Sequence, residues 1–125
     1  MSIAIDISVG EFLDRLSILE LKCRYIKDSH KQRILHRQLN AMLRKKGAVE
    51  MRDCELFSDL KNVNRKLWNV ENALREKERN KDFGKEFIRT ARSVYKLNDK
   101  RAKLKQGINI MFSESDSLYE IKSYK

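Results

Sequence analysis

The chain has 125 residues, a formal net charge of +10 and 41% hydrophobic residues. This length suits one domain with a modest core, and we expect a single domain over residues 1–125. With no proline and four glycines, little would interrupt the backbone hydrogen bonds of long helices, which predicts an all-α fold. No apolar run is long enough to span a membrane and the first residues do not resemble a signal peptide, so we expect a cytoplasmic protein.

The cysteines and histidines form no pattern that is typical of a disulfide or a metal site. Cys23 and Cys54 lack the CxxC spacing, and we interpret both as reduced, small apolar side chains. His30 and His36 lie on a basic segment with no cysteine or carboxylate at ligand spacing. We therefore expect no metal and no cofactor.

The first element that the sequence predicts is a short strand, because apolar residues alternate over residues 3–7. Ser8 and Glu11 then form a capping box, in which each side chain would accept a hydrogen bond from the other residue's backbone N–H. Helix 1 is expected to begin at about Val9. Its apolar residues lie in two nearly opposite stripes, so we expect it to be sandwiched either within the bundle or between two subunits. One stripe is Phe12, Leu16, Leu19, Cys23 and Ile26, and the other is Asp14, Ile18, Leu21 and Tyr25.

Three further helices follow in the prediction. Helix 2 is expected over residues 29–46 and a short loop over residues 47–52, with Gly47 just past the helix end. Helix 3 is expected over residues 53–80, with apolar residues at heptad spacing that are typical of a helix–helix seam. These residues are Leu56, Leu60, Val63, Leu67, Val70 and Leu74.

Helix 4 is expected to be capped by Asp82 and to continue to about residue 112. Because the turn before it is short, helices 3 and 4 should form a long antiparallel hairpin. The expected fold is a four-helix bundle built on this hairpin. The tail over residues 118–124 alternates weakly and could pair with the strand over residues 3–7.

Several segments of the chain resemble a domain-of-unknown-function family, number 6165. Residues 9–22, VGEFLDRLSILELK, are similar to the family's GELIDKITILEIK opening. Further likeness lies in residues 66–74, 82–84, 94–101, 105–109 and 121–124. The resemblance implies a small, cytosolic, helical protein of bacteria or their phages, and it implies no established activity.

The inward stripe of helix 4 changes chemistry halfway along. Apolar Phe87, Ala91 and Val94 are followed on the same face by polar and charged residues, where a buried charge would need a partner. The natural partners are acids of helix 1: Asp14, with Glu11 and Glu20 nearby. The first interpretation is an ion-pair network that fixes the helix register; the second is a small site that binds an anionic ligand; the third is a different rotation of helix 4. The polar residues of the stripe are Asn98, Arg101, Lys105 and Asn109.

The outer face of helix 4 is a row of cations about 27 Å long, at ~1.5 Å of rise per residue. It could be a solvated surface, or it could bind the phosphates of a nucleic acid or another polyanion. No aromatic residue is interleaved, so base stacking is not expected. The row is Lys85, Arg89, Arg92, Lys96, Lys100 and Lys103, with Lys31, Arg33, Arg37, Arg44, Lys45 and Lys46 of helix 2 as possible additions.

Other features leave the function open. Gly10 and Gly84 follow helix caps and either allow close helix packing or leave an N-terminus open to an anion. No catalytic triad, phosphate-binding loop or pair of catalytic carboxylates is apparent, so an enzyme is not supported. We expect a non-catalytic interaction or accessory protein, which could be a homodimer. The alternatives are a nonspecific polyanion binder and an anionic-ligand site between helices 1 and 4.

Overall fold

The computed structural model describes residues 1–112, and this part of the chain is all α, as predicted. Its five helices are α1 (Val9–Tyr25), α2 (Ser29–Leu43), α3 (Ala48–Arg52), α4 (Glu55–Arg79) and α5 (Lys85–Phe112). The predicted strand over residues 3–7 is wrong, since that segment is neither helix nor strand. The tail that was expected to pair with it lies outside the described residues. Within residues 1–112, no helix has both the length and the apolar character that a membrane crossing needs.

Helix α1 begins at Val9, as the capping signal predicts. The Ser8 hydroxyl oxygen accepts a hydrogen bond from the Glu11 backbone N–H at 3.1 Å, which is half of a capping box. The other half is replaced, because the Glu11 carboxylate accepts hydrogen bonds from Arg15 and Lys105 instead. The side chain that was expected to close the cap thus links α1 to α5.

The segment between the second and third predicted helices contains an additional helix. Helix α2 ends at Leu43, and Gly47 has a left-handed backbone with φ of 81°. The predicted end of helix 2 at residue 46, with Gly47 just past it, is therefore wrong, since Gly47 directly precedes α3, where a loop was predicted. A helix of five residues is too short to produce an apolar period, which explains why the sequence pattern does not indicate it.

Helices α4 and α5 form a hairpin and make the most extensive helix–helix contact in the described structure. The chain turns between them over residues 80–84, with Lys81 in the left-handed region at φ of 53°. Helix α5 begins at Lys85, and the Gly84 carbonyl accepts the Ile88 N–H at 3.2 Å. The expected capping by Asp82 is therefore wrong; its carboxylate lies 3.4 Å from the Gly84 nitrogen, within the turn.

The core lies where α1 crosses the hairpin. Helix α1 contacts α2, α3, α4 and α5, and every residue of its two predicted stripes except Tyr25 is buried or half-buried. The central cluster is Leu13, Leu16, Phe57, Leu60 and Ile108, against which the end of α2 packs.

Burial decreases along the hairpin with distance from α1. The predicted heptad seam is buried from Leu60 to Leu67 but only half-buried at Val70 and Leu74. No residue from 69 to 100 is fully buried. We refer to residues 69–100 as the hairpin arm.

Candidate functional site

An ion-pair cluster joins α1 to α5 at the place where the inward stripe becomes polar. Arg101 donates from Nε to Asp14 Oδ1 at 2.9 Å and from Nη2 to Asp14 Oδ2 at 2.6 Å, a two-pronged pairing. One turn further along α5, the Lys105 ammonium lies 2.7 Å from Glu11 Oε2 and 3.8 Å from Asp14 Oδ2. The structure thus brings together the four charged residues that were singled out from the sequence.

The cluster lies in a dry environment, which makes its pairing important. Asp14 is 2% exposed and Lys105 is 4% exposed. Removing such charges from water is costly unless each is paired and hydrogen-bonded. Two cations face two carboxylates, so this set of four side chains has no net charge.

Two polar residues of the cluster were not predicted. Asn64 of α4 donates from Nδ2 to Asp14 Oδ1 at 2.9 Å and to the Ser17 hydroxyl at 2.6 Å. Ser17 in turn donates to the Asp14 backbone carbonyl at 2.8 Å. A sequence signal for Asn64 does exist, because it occupies an inward position of α4 between Leu60 and Leu67. A polar residue on a buried helix stripe needs a buried partner.

Asn109 and Gly10 make the closest approach of α5 to the start of α1. Asn109 Oδ1 accepts the Gly10 backbone N–H at 2.7 Å, so a side chain of α5 satisfies a free donor in the first turn of α1. A Cβ on Gly10 would lie 2.4 Å from the Lys105 carbonyl oxygen and 2.7 Å from Asn109 Oδ1. The geometry therefore favours the packing interpretation of Gly10 over an anion site. Asn98 is exposed, and its Oδ1 lies 3.4 Å from Arg101 Nη1.

The charged groups of the cluster shift the ionisation of Glu11. Partial burial acts to raise the pKa of Glu11, but hydrogen bonds and charges from Lys105 and Arg15 outweigh it and hold that pKa below the ordinary value of 4.5. Glu11 is therefore a carboxylate at neutral pH. In that form it neutralises the buried Lys105.

A second buried carboxylate links α1 to two other helices. Glu20 lies 2.8 Å from Arg52 of α3 and 3.1 Å from Lys61 of α4. The Glu20 side chain is 15% exposed, whereas those of its two partners are more than 40% exposed. This pairing fixes the short α3 against the core. Arg52 and Lys61 also line an open cleft of about 480 Å³ beside α1, α3 and α4.

The predicted row of cations lies on the outside of α5. All six side chains are exposed, and their positions are half a turn around the helix from Arg101 and Lys105. Arg89 lies 3.2 Å from Glu86, and within residues 1–112 the other five have no ion-pair partner. The expected additions on α2 and in the following turn, Arg37, Arg44, Lys45 and Lys46, are exposed too.

The four charged residues of the polar cluster and the Gly10 contact lie in the segments that carry the sequence resemblance, whereas only Lys96 and Lys100 of the cation row do. A model of the Family of unknown function (DUF6165) matches residues 3–125. The chain belongs to this family. No curated protein and no solved structure matches the chain. The function of this DUF6165 member must therefore be argued from its own side chains.

The described part of this DUF6165 member offers little metal or thiol chemistry. Over residues 1–112, no group of three His, Cys, Asp or Glu side chains could hold a metal ion. Cys23 and Cys54 are free thiols. Burial and the nearby Glu20 raise the pKa of the Cys23 thiol, which keeps it in its less reactive protonated form.

Proposed function

We propose that this protein is a non-catalytic accessory protein that binds a polyanion, such as the backbone of a nucleic acid, along the outer face of α5. The observation that supports this most is the row of six exposed cations, five of which have no ion pair with a described residue. Exposed cations that no carboxylate neutralises remain available to phosphates.

The shape of the row defines the kind of recognition that we propose. Its ~27 Å length would allow contact with several successive phosphates. No aromatic residue lies within the row itself, although Tyr95 is exposed beside it. Contacts of the cations with the phosphate backbone alone do not read sequence. We therefore propose nonspecific binding. A cytoplasmic location would suit this role.

The remaining helices act as the scaffold in this proposal. We interpret the chain as one domain in which α1, α2, α4 and α5 form a four-helix bundle. The ion-pair cluster would fix the register of α1 against α5. The alternative, an anionic-ligand site at Arg101 and Lys105, receives less support, because the carboxylates of Asp14 and Glu11 already neutralise these cations at 2.6–2.7 Å.

A homodimer also receives less support than the sequence pattern suggested. The argument for it was that helix 1 is apolar on two sides, and every residue of those two stripes except Tyr25 is buried or half-buried within the same chain. Light scattering at several protein concentrations would test this directly. A mass of twice 14.9 kDa that does not change with protein concentration would support a homodimer.

Polyanion binding is tested by the salt dependence of affinity for a duplex DNA of arbitrary sequence. For up to six phosphate contacts, we expect the logarithm of the affinity to fall with the logarithm of the salt concentration with a slope of about −5. The double variant Arg89→Glu and Arg92→Glu should bind far more weakly, with a slope reduced in magnitude by about 2.

The matched control is the double variant Arg65→Glu and Lys66→Glu on α4, which changes the net charge by the same amount on another helix. If it weakens binding as much as the α5 variant does, the affinity follows total charge and the α5 face is not the site. Binding that is absent at low salt, or insensitive to salt, would contradict the proposed function itself.

A further inference from the structure

A cavity of about 360 Å³ lies between α1 and α4, beside the point where α1 leaves the hairpin. Its apolar walls are formed by Ile18, Leu21, Leu67 and Trp68. Trp68 is the only tryptophan of the chain, and Tyr25 stacks on it with ring centroids 5.6 Å apart. This volume is within the range of small-molecule sites, and the stacked ring pair gives the cavity a rigid, flat wall.

One buried polar group lines this cavity. Asn64 is 4% exposed and uses its Nδ2 group for Asp14 and Ser17. Its carbonyl oxygen Oδ1 accepts no hydrogen bond from any described residue, and it is not among the side-chain atoms that are fully buried without a partner. This oxygen is therefore accessible from the cavity, where a ligand with an N–H group would take the place of water as its donor.

The rim of the cavity is positively charged. Lys22 of α1 and Arg75 of α4 line it and are exposed, and neither forms an ion pair with a described residue. Glu71 is the only acid among the lining residues. An anionic group on a ligand could therefore be held at the rim while its apolar body lies against Trp68.

We propose that this cavity binds a small, flat heteroaromatic molecule that carries an N–H donor and an anionic group, of which a nucleoside monophosphate is the simplest representative. The ring lies on the Trp68 wall, an exocyclic amino group donates to Asn64 Oδ1, and the phosphate pairs with Lys22 and Arg75. The Trp68 wall, the Asn64 oxygen and the two rim cations would thus each contact a different part of one ligand. The inference does not depend on the cation row of α5.

The test follows the single indole N–H resonance of Trp68 by NMR during titration of the intact protein with adenosine monophosphate, adenosine and benzoate. Adenosine lacks the anion and benzoate lacks the N–H donor. We expect saturable binding of the monophosphate with a Kd at or below about 1 mM, and several-fold weaker binding of the other two. Arg75→Glu or Lys22→Glu should weaken monophosphate binding by about tenfold or more.

Two control variants make the test specific. Lys66→Glu introduces the same charge change half a turn around α4 from Arg75 and should leave binding unchanged. Arg89→Glu with Arg92→Glu should also leave it unchanged, although it reduces polyanion binding. Equal binding of the monophosphate and adenosine, no shift of the Trp68 resonance at several times the expected Kd, or a loss caused by either control would overturn the proposal.

Discussion

At Gly10, two helices approach so closely that a single methyl group would not fit. The nearest atoms are the carbonyl oxygen of Lys105 and the side-chain oxygen of Asn109, both on α5. The backbone oxygen cannot move without distorting that helix. The glycine is therefore required by the packing of α1 and α5.

We expect Gly10→Ala to lower the free energy of unfolding by about 3 kcal/mol, because the new Cβ would lie 2.4 Å from the Lys105 carbonyl oxygen and force the helices apart. Urea denaturation measures this. Gly84→Ala is the matched control, since the nearest atom to its Cβ would be Asp82 Oδ1 at 3.6 Å. If Gly10→Ala lowered the free energy of unfolding no more than Gly84→Ala does, α1 and α5 would be able to accommodate the methyl group without loss of packing.

Asp14 is the residue on which the ion-pair cluster depends most. Its carboxylate accepts hydrogen bonds from Arg101 and Asn64 and lies near the Lys105 ammonium. We expect Asp14→Asn to lower the free energy of unfolding by about 3 kcal/mol, because it removes the carboxylate that pairs with the half-buried Arg101, whereas Lys105 keeps its pair with Glu11. Glu86→Gln, which removes an exposed pair with Arg89, should cost about 0.5 kcal/mol or less. Equal costs in denaturation would mean that the cluster is open to water.

Glu11 should contribute to the pH dependence of stability. Its pKa is lower in the folded protein than its ordinary value of 4.5, so its stabilising effect is complete above that ordinary value and is lost as the pH falls through the lowered one. Denaturation between neutral pH and pH of about 3 should show a smaller decrease for Glu11→Gln than for the natural protein. Glu78→Gln, an exposed α4 variant, should retain the full decrease. If the free energy of unfolding of Glu11→Gln fell with pH as steeply as that of the natural protein, Glu11 would not contribute to the pH dependence.

Among the elements, the hairpin differs most between its two ends. Near α1, its seam is closed by a third helix, and Leu60 is completely buried. In the hairpin arm, residues 69–100, the same heptad seam continues, but no residue there is fully buried and Leu74 is only half-buried. The apolar spacing is the same in both halves, so the sequence pattern does not indicate where the third helix ends.

This difference predicts unequal costs for the same substitution. Leu60→Ala should lower the free energy of unfolding by about 4 kcal/mol, because it leaves a cavity in the closed core. Leu74→Ala should cost about 1 kcal/mol, since its side chain is partly in water already. Hydrogen exchange should likewise be faster in the arm than in residues 57–67. Equal protection along α4 would indicate that something covers the arm in solution.

The helix ends show which sequence signals were reliable. The start of α1 was predicted because it depends on the local chemistry of Ser8 and its neighbours. The end of helix 2 was misplaced, because Gly47 precedes α3 and does not directly follow α2. The start of α5 was misplaced because Asp82, a good capping residue, lies in the turn.

The residues of the ion-pair cluster were only partly predictable from the sequence. The inward Arg101 and Lys105 were found from helical spacing alone. Asn64 was missed because its partners, Asp14 and Ser17, lie 50 and 47 residues away in sequence.

Over the whole molecule, the two kinds of charge have different environments. The buried charges are paired between helices, as in Arg101 with Asp14. Much of the net charge of +10 instead comes from exposed cations on α2 and α5. Paired charges stabilise the arrangement of helices, whereas a one-sided row of cations repels itself and favours a partner of opposite charge.

This separation predicts that the cation row can be weakened without destabilising the fold. Lys100→Glu lowers the net charge to +8 and places a carboxylate three and four positions from Lys103 and Lys96, where each new helical pair contributes about 0.2–0.5 kcal/mol. We expect thermal stability to stay the same or rise slightly while the protein elutes from heparin at lower salt. Reversing one charge in this row reduces the repulsion between its cations, so it should not lower the stability of the fold. A variant that lost both thermal stability and heparin binding would therefore show that Lys100 supports the structure.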